Sequence, residues 1–451
     1  MWTVPAWKEI QETLRDPSSP IGMRMRAAYY AKQLFVDLQK EDSDHNDEEK
    51  ECDADATGRT DRSRTMEDIV KVLCEQVFVK EHGSLLRHEF AYVLGQMKTD
   101  KACTTLEELL EKEDDCVMVR HEAAEALGAI ASPRSKTALE STRAKNEGVL
   151  DELADTCLLA LNRLDDVATN ETDGEGKNNS TKTTSLAVGC ACMLAPFNSI
   201  DPVDDDPAHV SLSTEELGDI LLNKNKPKNT GEDERKQNDE SAAAAFQQRG
   251  DLIERYRAMF SLRNRGGVES VKQLCRALVE DTSSPLLRHE VAFVLGQLQH
   301  PSSIPALEES LARLDEHAMV RHESAEALGA IEGSSEDWLK IESILTKYQK
   351  DFDQAVAESC VVALDAADYW GRDNATDNYI HDNGVVGDDE ETNKFVEDDH
   401  ELGTEDNSVE IAHIEKTGGA FGKQKHNSTA VETCEIRKQI LAQHFNVVQN
   451  A

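Results

Sequence analysis

The chain has 451 residues, a mass of 50.0 kDa and a formal net charge of −39 at pH 7. Acidic residues concentrate in two runs, nine of them within 41–56 and ten within 388–406. A nucleic-acid-binding protein needs a basic face to neutralise phosphates, so this charge excludes nucleic acid as an expected partner and favours a basic one.

Composition also bounds the class of protein and its compartment. Hydrophobic residues make up 39% and aromatic residues 5% of the chain, which is typical of an Ala/Leu-rich helical protein with disordered insertions. The N-terminus lacks a secretory signal, and the longest apolar run, 186–197, is too short to cross a bilayer. The ten cysteines form no disulfide or metal-binding framework. We therefore expect a cytoplasmic protein with reduced thiols and no membrane contact.

Taken in chain order, the elements are amphipathic helices that recur in two series. The first series begins at 24–30, passes an acidic insertion at about 41–63, and continues with three further helical segments. The second series repeats it after a polar stretch. Within each series the step between the two middle segments is 33 residues, as between His88 and His121. Two short helices per 33 residues are typical of a solenoid unit, which buries its core only against neighbouring units.

The matching segments define two halves of four helical pairs each. The middle segments are offset by 201 residues, whereas the first segments, Arg24–Tyr30 and Arg255–Phe260, are offset by 231, so the insertion adds about 30 residues. We predict an all-α fold, an α-α superhelix whose halves are related by a pseudo-twofold axis. The predicted divisions are an N-terminal half at 1–165, a low-complexity connector at 166–245 with an ordered island at 195–222, a C-terminal half at 246–370, and an acidic, disordered tail at 371–451. A marginal helix is predicted within the tail at 431–449.

Four units carry the same tripeptide, Arg-His-Glu. Its histidines are His88, His121, His289 and His322, and each is followed directly by a glutamate. The first and last units of each half lack it: the last units have Asp-Thr or Glu-Ser at the comparable place. Repetition of the fold alone would place the tripeptide in every unit. Its selective presence therefore indicates a function.

Imidazole and carboxylate are nitrogen and oxygen ligands for a borderline metal. Adjacent residues on a helix point about 100° apart, so the two members of one His-Glu pair serve different ions or different ligand shells. If the two halves face each other, four imidazoles and four carboxylates converge, which suits two metal ions, each with histidines from one half. Without thiolates the set favours iron or manganese over structural zinc. The preceding arginines, Arg87, Arg120, Arg288 and Arg321, are predicted to pair with acidic groups of neighbouring units.

These residues resemble the deoxyhypusine hydroxylase family. The likeness rests on the four Arg-His-Glu copies, on Leu-Gly-Gln at 94–96 and 295–297, on Glu-Ala-Leu-Gly-Ala-Ile at 125–130 and 326–331, and on 197–202 in the connector. It implies a HEAT-repeat, non-haem di-iron monooxygenase with two Fe(2+) ions per chain. The implied substrate is the deoxyhypusine side chain of translation initiation factor 5A, hydroxylated to hypusine with dioxygen and an electron donor, and the enzyme is expected to be a monomer.

The resemblance also implies a set of site residues. The metal ligands are expected to be His88, Glu89, His121, Glu122, His289, Glu290, His322 and Glu323. Within this set we expect Glu89 and Glu290 to join the histidines on the metal, and Glu122 and Glu323 to orient ligands or attract the cationic substrate arm. Two alternatives remain open from the residues: a non-catalytic solenoid adaptor whose acidic concave face binds a basic partner, and a bilin lyase-type repeat protein, in which four His-Glu pairs are not expected.

Overall fold

A computed structural model describes residues 5–44, 56–172, 201–203, 206–224 and 240–365. Apart from short 3-10 turns, the described residues form α-helices and contain no strand. The first half contains α1 Trp7–Arg15, α2 Ile21–Asp44, α3 Ala56–Gln76, α4 Gly83–Met97, α5 Asp100–Glu111, α6 Val117–Ile130, α7 Lys136–Asn146 and α8 Asp151–Thr172. The second contains α9 Thr214–Leu221, α10 Glu240–Arg265, α11 Gly267–Glu280, α12 Pro285–Leu298, α13 Ile304–Ala312, α14 Ala318–Ala330, α15 Ser335–Tyr348 and α16, residues 354–365.

The helices form two layers in each half. The second helices of consecutive pairs pack side by side, α4 on α6 and α6 on α8, with α12 on α14 in the other half. The first helices α3, α5 and α7 lie next to one another on the other side of the layer. The predicted all-α architecture of two four-repeat halves is confirmed. None of the helices in the described ranges is long and apolar enough to cross a membrane.

Glycines allow the second helices to approach closely. A β-carbon at Gly95 would lie 2.7 Å from Cβ of Ala126, and one at Gly329 would lie 2.7 Å from Cβ of Ala363. Real β-carbons do not approach that closely, so any larger residue would push consecutive repeats apart. This explains the glycine late in the second helix of three repeats, at Gly95, Gly128 and Gly329.

The two halves meet at both ends. At one junction α8 contacts α10 and α12, and Nε2 of His317 lies 3.7 Å from Oε1 of Glu152. At the other, Arg26 of α2 forms an ion pair with Asp365 of α16. Because both ends are joined, the inner helices of one half face those of the other, which brings the four His-Glu pairs together.

The connector predicted at 166–245 contains a helix that belongs to the second series of repeats. Helix α9 lies within 166–245, yet it packs against α10 and α11 as the first helix of the fifth pair. Its N-terminus has a capping box in which Ser213 and Glu216 bond each other's backbone N–H groups. The tail at 371–451, with its predicted helix, lies outside the described residues.

Candidate metal centre

The four histidines lie together on the inner helices α4, α6, α12 and α14. Their ring centroids are 6.3 Å apart for His88 and His121 and 5.6 Å apart for His289 and His322. The distances between halves are shorter, 5.4 Å from His88 to His322 and 5.2 Å from His121 to His289. The four imidazoles therefore form one closed ring across the pseudo-twofold axis, although they lie up to 234 positions apart in the sequence.

Carboxylates from the same helices border this ring. Nε2 of His88 lies 3.1 Å from Oε2 of Glu122, one repeat further along. Nε2 of His289 lies 3.6 Å from Oε2 of Glu323, which repeats this relationship in the second half. Glu89 is closer to its own neighbour, with Oε1 3.4 Å from Nδ1 of His88. Each half therefore brings a histidine of one repeat to the glutamate of the next.

The arginines of the tripeptides hold the repeats in place. Arg87 donates to both oxygens of Asp115 at 2.8 and 2.6 Å, Arg321 to both oxygens of Asp351 at 3.0 and 2.5 Å, and Arg288 to both oxygens of Glu316 at 2.8 and 2.7 Å. The predicted pairing with acidic groups of neighbouring units is confirmed for these three. Arg120 instead donates from Nε to the backbone carbonyl of Leu110 at 2.9 Å. Paired in this way, the arginines orient the helices that carry the histidines.

Three contacts at the site come from residues that the sequence analysis missed. Nε2 of His121 lies 3.4 Å from Glu125, and Nδ1 of His322 lies 3.8 Å from Glu326. Tyr29 of α2 donates a 2.7 Å hydrogen bond to Glu89. A signal existed for the two glutamates, since each lies four residues after a histidine and so on the same helical face. Tyr29 carried no such signal, because only the packing of α2 against α4 brings it there.

The imidazole nitrogens are the clearest indication of a ligand. All four rings are buried, and seven of their eight nitrogens make no well-oriented hydrogen bond within the described residues, although carboxylate oxygens lie 3.1–3.8 Å from five of them. The eighth, Nδ1 of His121, lies 2.9 Å from the hydroxyl of Thr156. Leaving a buried polar group without a partner is costly, so native proteins retain such groups mainly where another molecule completes them. Nitrogen atoms with available lone pairs in this arrangement are what a metal ion requires.

Burial disfavours charge throughout the site. It lowers the pKa of His121, with His88 adding to the effect, and it lowers the pKa of His289 and of His322. His88 differs: burial acts to lower its pKa, but Glu122 and Glu89 outweigh this and hold it well above the usual value.

The pKa values of the carboxyl groups shift in the opposite direction. Burial raises the pKa of Glu125, with Glu290 and Glu122 adding to it, and raises that of Glu323, with Glu326 adding to it. Burial and Asp201 raise the pKa of Glu290 to about 8. A cation bound among these groups would stabilise the ionised carboxylates, and the neutral imidazoles would coordinate it.

At this centre, three overlapping groups of described side chains have ligand atoms close enough together to hold one ion. They are His88, His121 and His289; His289, His322 and Glu323; and His121, Glu122 and Glu125. In each group all the candidate ligand atoms lie within 4.8 Å of one another. Imidazoles with carboxylates from several helices, and no thiolate, fit a divalent iron or manganese ion.

Comparison with known proteins agrees with this geometry. A family model for HEAT repeats matches residues 64–156, 242–329 and 271–365. Deoxyhypusine hydroxylase of Danio rerio is 40% identical over 297 residues, which cover 65% of this chain and 79% of that protein. The chain belongs to the deoxyhypusine hydroxylase family.

Other members of the family extend the match. Deoxyhypusine hydroxylase of Mus musculus is 36% identical over 290 residues, covering 64% of this chain and 78% of the relative. The solved structure of human deoxyhypusine hydroxylase in complex with glycerol superposes with a TM-score of 0.56 at 31% identity, and the match covers 80% of this chain and 94% of that one. The resemblance seen in the four tripeptides is thereby confirmed. The chain is an enzyme, and the family is one of hydroxylases whose function implies a metal cofactor.

Proposed function

We propose that this enzyme is a non-haem di-iron monooxygenase that hydroxylates the deoxyhypusine side chain of translation initiation factor 5A to hypusine, the last step of hypusine biosynthesis. The observation that carries the proposal is the ring of four buried imidazoles bordered by carboxylates. Family membership supports the hydroxylase activity, and the acidic chain suits a basic protein substrate.

Two Fe(2+) ions are proposed as the cofactor. His88, His121, His289 and His322 would supply nitrogen ligands, and Glu89, Glu122, Glu290 and Glu323 are the proposed carboxylates. When bound, the iron pair supplies the oxidising power to insert oxygen into an unactivated C–H bond, which no amino-acid side chain can provide. The chain positions the ligands and limits the access of water, since the four histidine residues are between 0% and 5% exposed.

The overall reaction balances with an external donor. One atom of dioxygen enters a C–H bond of the substrate arm as a hydroxyl group. The other oxygen atom takes up two electrons and two protons and leaves as water. We propose that an electron donor delivers the two electrons and that the enzyme acts as a cytoplasmic monomer without nucleic acid or membrane.

The carboxylates are proposed to have two roles. Glu89 and Glu290 would join the histidines on the metal, and Glu122 and Glu323 would orient ligands or attract the cationic arm. The short distances from Glu122 to His88 and from Glu323 to His289 support the orienting role. These distances also bring Glu122 and Glu323 close enough to coordinate an ion, so both residues remain in the proposed ligand set.

The experiment combines metal content with product mass. The purified chain should hold close to two irons, and the deoxyhypusine-bearing factor should gain the mass of one oxygen atom on incubation with iron-loaded enzyme, dioxygen and reductant. His121→Ala and the double variant His88→Ala/His289→Ala should lose iron while keeping the helical circular-dichroism signal. Iron-loaded, folded protein that adds no oxygen would refute the substrate assignment. Retention of both irons by the double variant would refute the ligand assignment.

Family membership decides against the non-catalytic adaptor that the acidic repeats alone allowed. An adaptor would purify without iron and would bind the basic factor equally well in its modified and unmodified forms. The hydroxylase should instead bind the deoxyhypusine-bearing form more tightly than the unmodified form, because only that form carries the arm that reaches the metal centre.

A further inference from the structure

Two adjoining cavities open beside the imidazole ring. They enclose about 370 and 490 Å³, part of it open to solvent, and both are lined by Glu125, Ala129, Asp201, Pro202 and Glu290. Spaces of several hundred Å³ hold small ligands. Their walls come from α4, α6 and α8 of the first half and from α10 and α12 of the second, so they lie at the seam between the halves. Glu122 and Glu290 of the proposed ligand set border them.

The walls combine apolar surface with acidic groups. Leu159, Ala160 and Leu286 line the first cavity, and Phe293 lines the second. Glu125 and Glu290 border both, and Glu122 borders the second. Arg163 is the cation that lines the first cavity. The carboxylate of Asp201 forms a bidentate ion pair with the guanidinium of Arg263, with N–O distances of 2.8 and 2.5 Å. Apolar walls with surplus carboxylates favour an alkyl chain that ends in an ammonium group.

Tyr256 lines the first cavity, and no hydrogen bond among the described residues gives its hydroxyl group a role in holding the fold together. Its side chain is buried, with 1% of the residue exposed, and its hydroxyl has no hydrogen-bond partner among the described residues. Burial raises the pKa of this phenol well above its usual value, with Glu290 and Glu125 adding to the effect, so the hydroxyl stays protonated. A buried hydroxyl without a partner is costly in a folded protein unless a ligand completes it.

The pseudo-symmetric face is built differently. The 231-residue offset places Met25 where the second half has Tyr256, so that face has no phenol at this position. There Ser359 donates a 2.8 Å hydrogen bond to Glu326, the counterpart of Glu125, and Tyr29 donates one of 2.7 Å to Glu89, the counterpart of Glu290. Those carboxylates are held by the protein itself.

We propose that the substrate arm reaches the centre from one side only, through the cavities of Glu125, Glu290 and Tyr256, and that the Tyr256 hydroxyl accepts a hydrogen bond from an alkylammonium N–H of the arm. Tyr256 thereby becomes a specificity-determining residue for a cationic chain, and Asp201 and Pro202 form part of the entry wall. This inference rests on the proposed function, since it assigns the side from which that substrate enters.

The test compares two phenylalanine variants that each remove one hydroxyl near one of the matched carboxylates. Tyr256→Phe should raise KM for the deoxyhypusine-bearing factor about tenfold, as expected for one lost hydrogen bond to a charged group, with kcat and iron content near those of the wild type. Tyr29→Phe, on the opposite face, is assayed at saturating Fe(2+), because its hydrogen bond to Glu89 supports the metal ligands; under those conditions its effect should fall on iron affinity or kcat, with KM unchanged. A second variant, Ala129→Leu, adds volume at a residue that lines both cavities, removes no polar group, and should weaken binding of the factor, measured by calorimetry, at least tenfold.

The outcomes separate this inference from the proposed function. Wild-type protein that neither binds nor hydroxylates the factor would overturn the function. Wild-type activity with unchanged KM in Tyr256→Phe and unchanged binding in Ala129→Leu would overturn the entry route alone. An equal rise in KM for Tyr256→Phe and Tyr29→Phe would overturn the one-sided entry, because it would show that both faces contact the arm.

Discussion

The hydroxyl of Tyr29 donates a 2.7 Å hydrogen bond to Glu89, whereas Phe260, at the matching position of the second half, has no hydroxyl to offer Glu290. The two halves therefore treat their equivalent carboxylates differently. If both carboxylates bind iron, the two ions differ in their surroundings although the eight proposed ligands follow the pseudo-twofold axis.

The first prediction concerns this bond. Tyr29→Phe frees Glu89 to rotate and should lower the affinity for one of the two irons about tenfold, because outer partners orient metal ligands. Titration of metal-free protein with Fe(2+) under anaerobic conditions would show one site weakened and the other unchanged. The neighbouring Tyr30→Phe is the control and should leave both affinities unchanged. Two sites weakened equally by Tyr29→Phe would contradict the asymmetry.

A second prediction follows from His82, which is buried at the start of α4. Its Nδ1 lies 3.1 Å from Nη1 of Arg24 and its Nε2 lies 3.0 Å from Oε1 of Gln76, so the neutral ring accepts from the arginine and donates to the amide. Burial, with Arg24 adding to it, lowers the pKa of His82 to about 4. Since the folded pKa is below the unfolded value of about 6.5, the unfolded chain binds more protons and stability falls as the pH drops from 6.5 towards 4.

Urea unfolding at pH 7.5, 6.5 and 5.5 measures this effect. His82→Gln should reduce the dependence of the unfolding free energy on pH below 6.5 by up to about 1.4 kcal/mol per pH unit relative to wild type. Metal-free protein should be used for both, so that the site histidines contribute equally. Parallel curves for the two proteins would show that His82 does not carry the effect.

The third prediction concerns the buried pair of Arg321 and Asp351. Their side chains are 1% and 3% exposed, and the carboxylate receives two hydrogen bonds from the guanidinium. Asp351→Asn leaves a buried guanidinium charge without its partner, so we expect a loss of about 3 kcal/mol in the free energy of unfolding. Glu113→Gln, which breaks the exposed pair with Lys145, is the control and should cost less than about 1 kcal/mol. Equal losses would contradict the structural role given to the tripeptide arginines.

The fourth prediction concerns the spacing of the repeats. Gly95→Ala places a methyl group 2.7 Å from Cβ of Ala126, so it should destabilise the fold by about 1–3 kcal/mol. Adding Ala126→Gly removes the opposing methyl group and should recover part of that loss, measured by thermal unfolding. If the double variant is no more stable than Gly95→Ala, close approach of α4 and α6 is not the reason for the glycine.

The helices, the repeat and the candidate ligands follow from local patterns in the chain. Helical periodicity and the 33-residue step are local properties of the chain, so they predicted the paired helices and placed His88, His121, His289 and His322 at matched positions. The tripeptide's absence from the terminal units marked those positions as functional. Helix α9 was not assigned to a repeat, because it is short and lies within a polar stretch whose composition dominates the pattern.

Which residues surround the candidate ligands depends on the packing of the two halves against each other. Tyr29, Tyr256 and Asp201 are far from the tripeptides in sequence. They lie at the site because the two halves meet at both ends and Asp201 sits at the seam between them. The closure also makes the nearest imidazoles those of opposite halves, His121 and His289 at 5.2 Å. Contacts of this kind depend on how helices pack across the pseudo-twofold axis, and no periodicity in the chain encodes them.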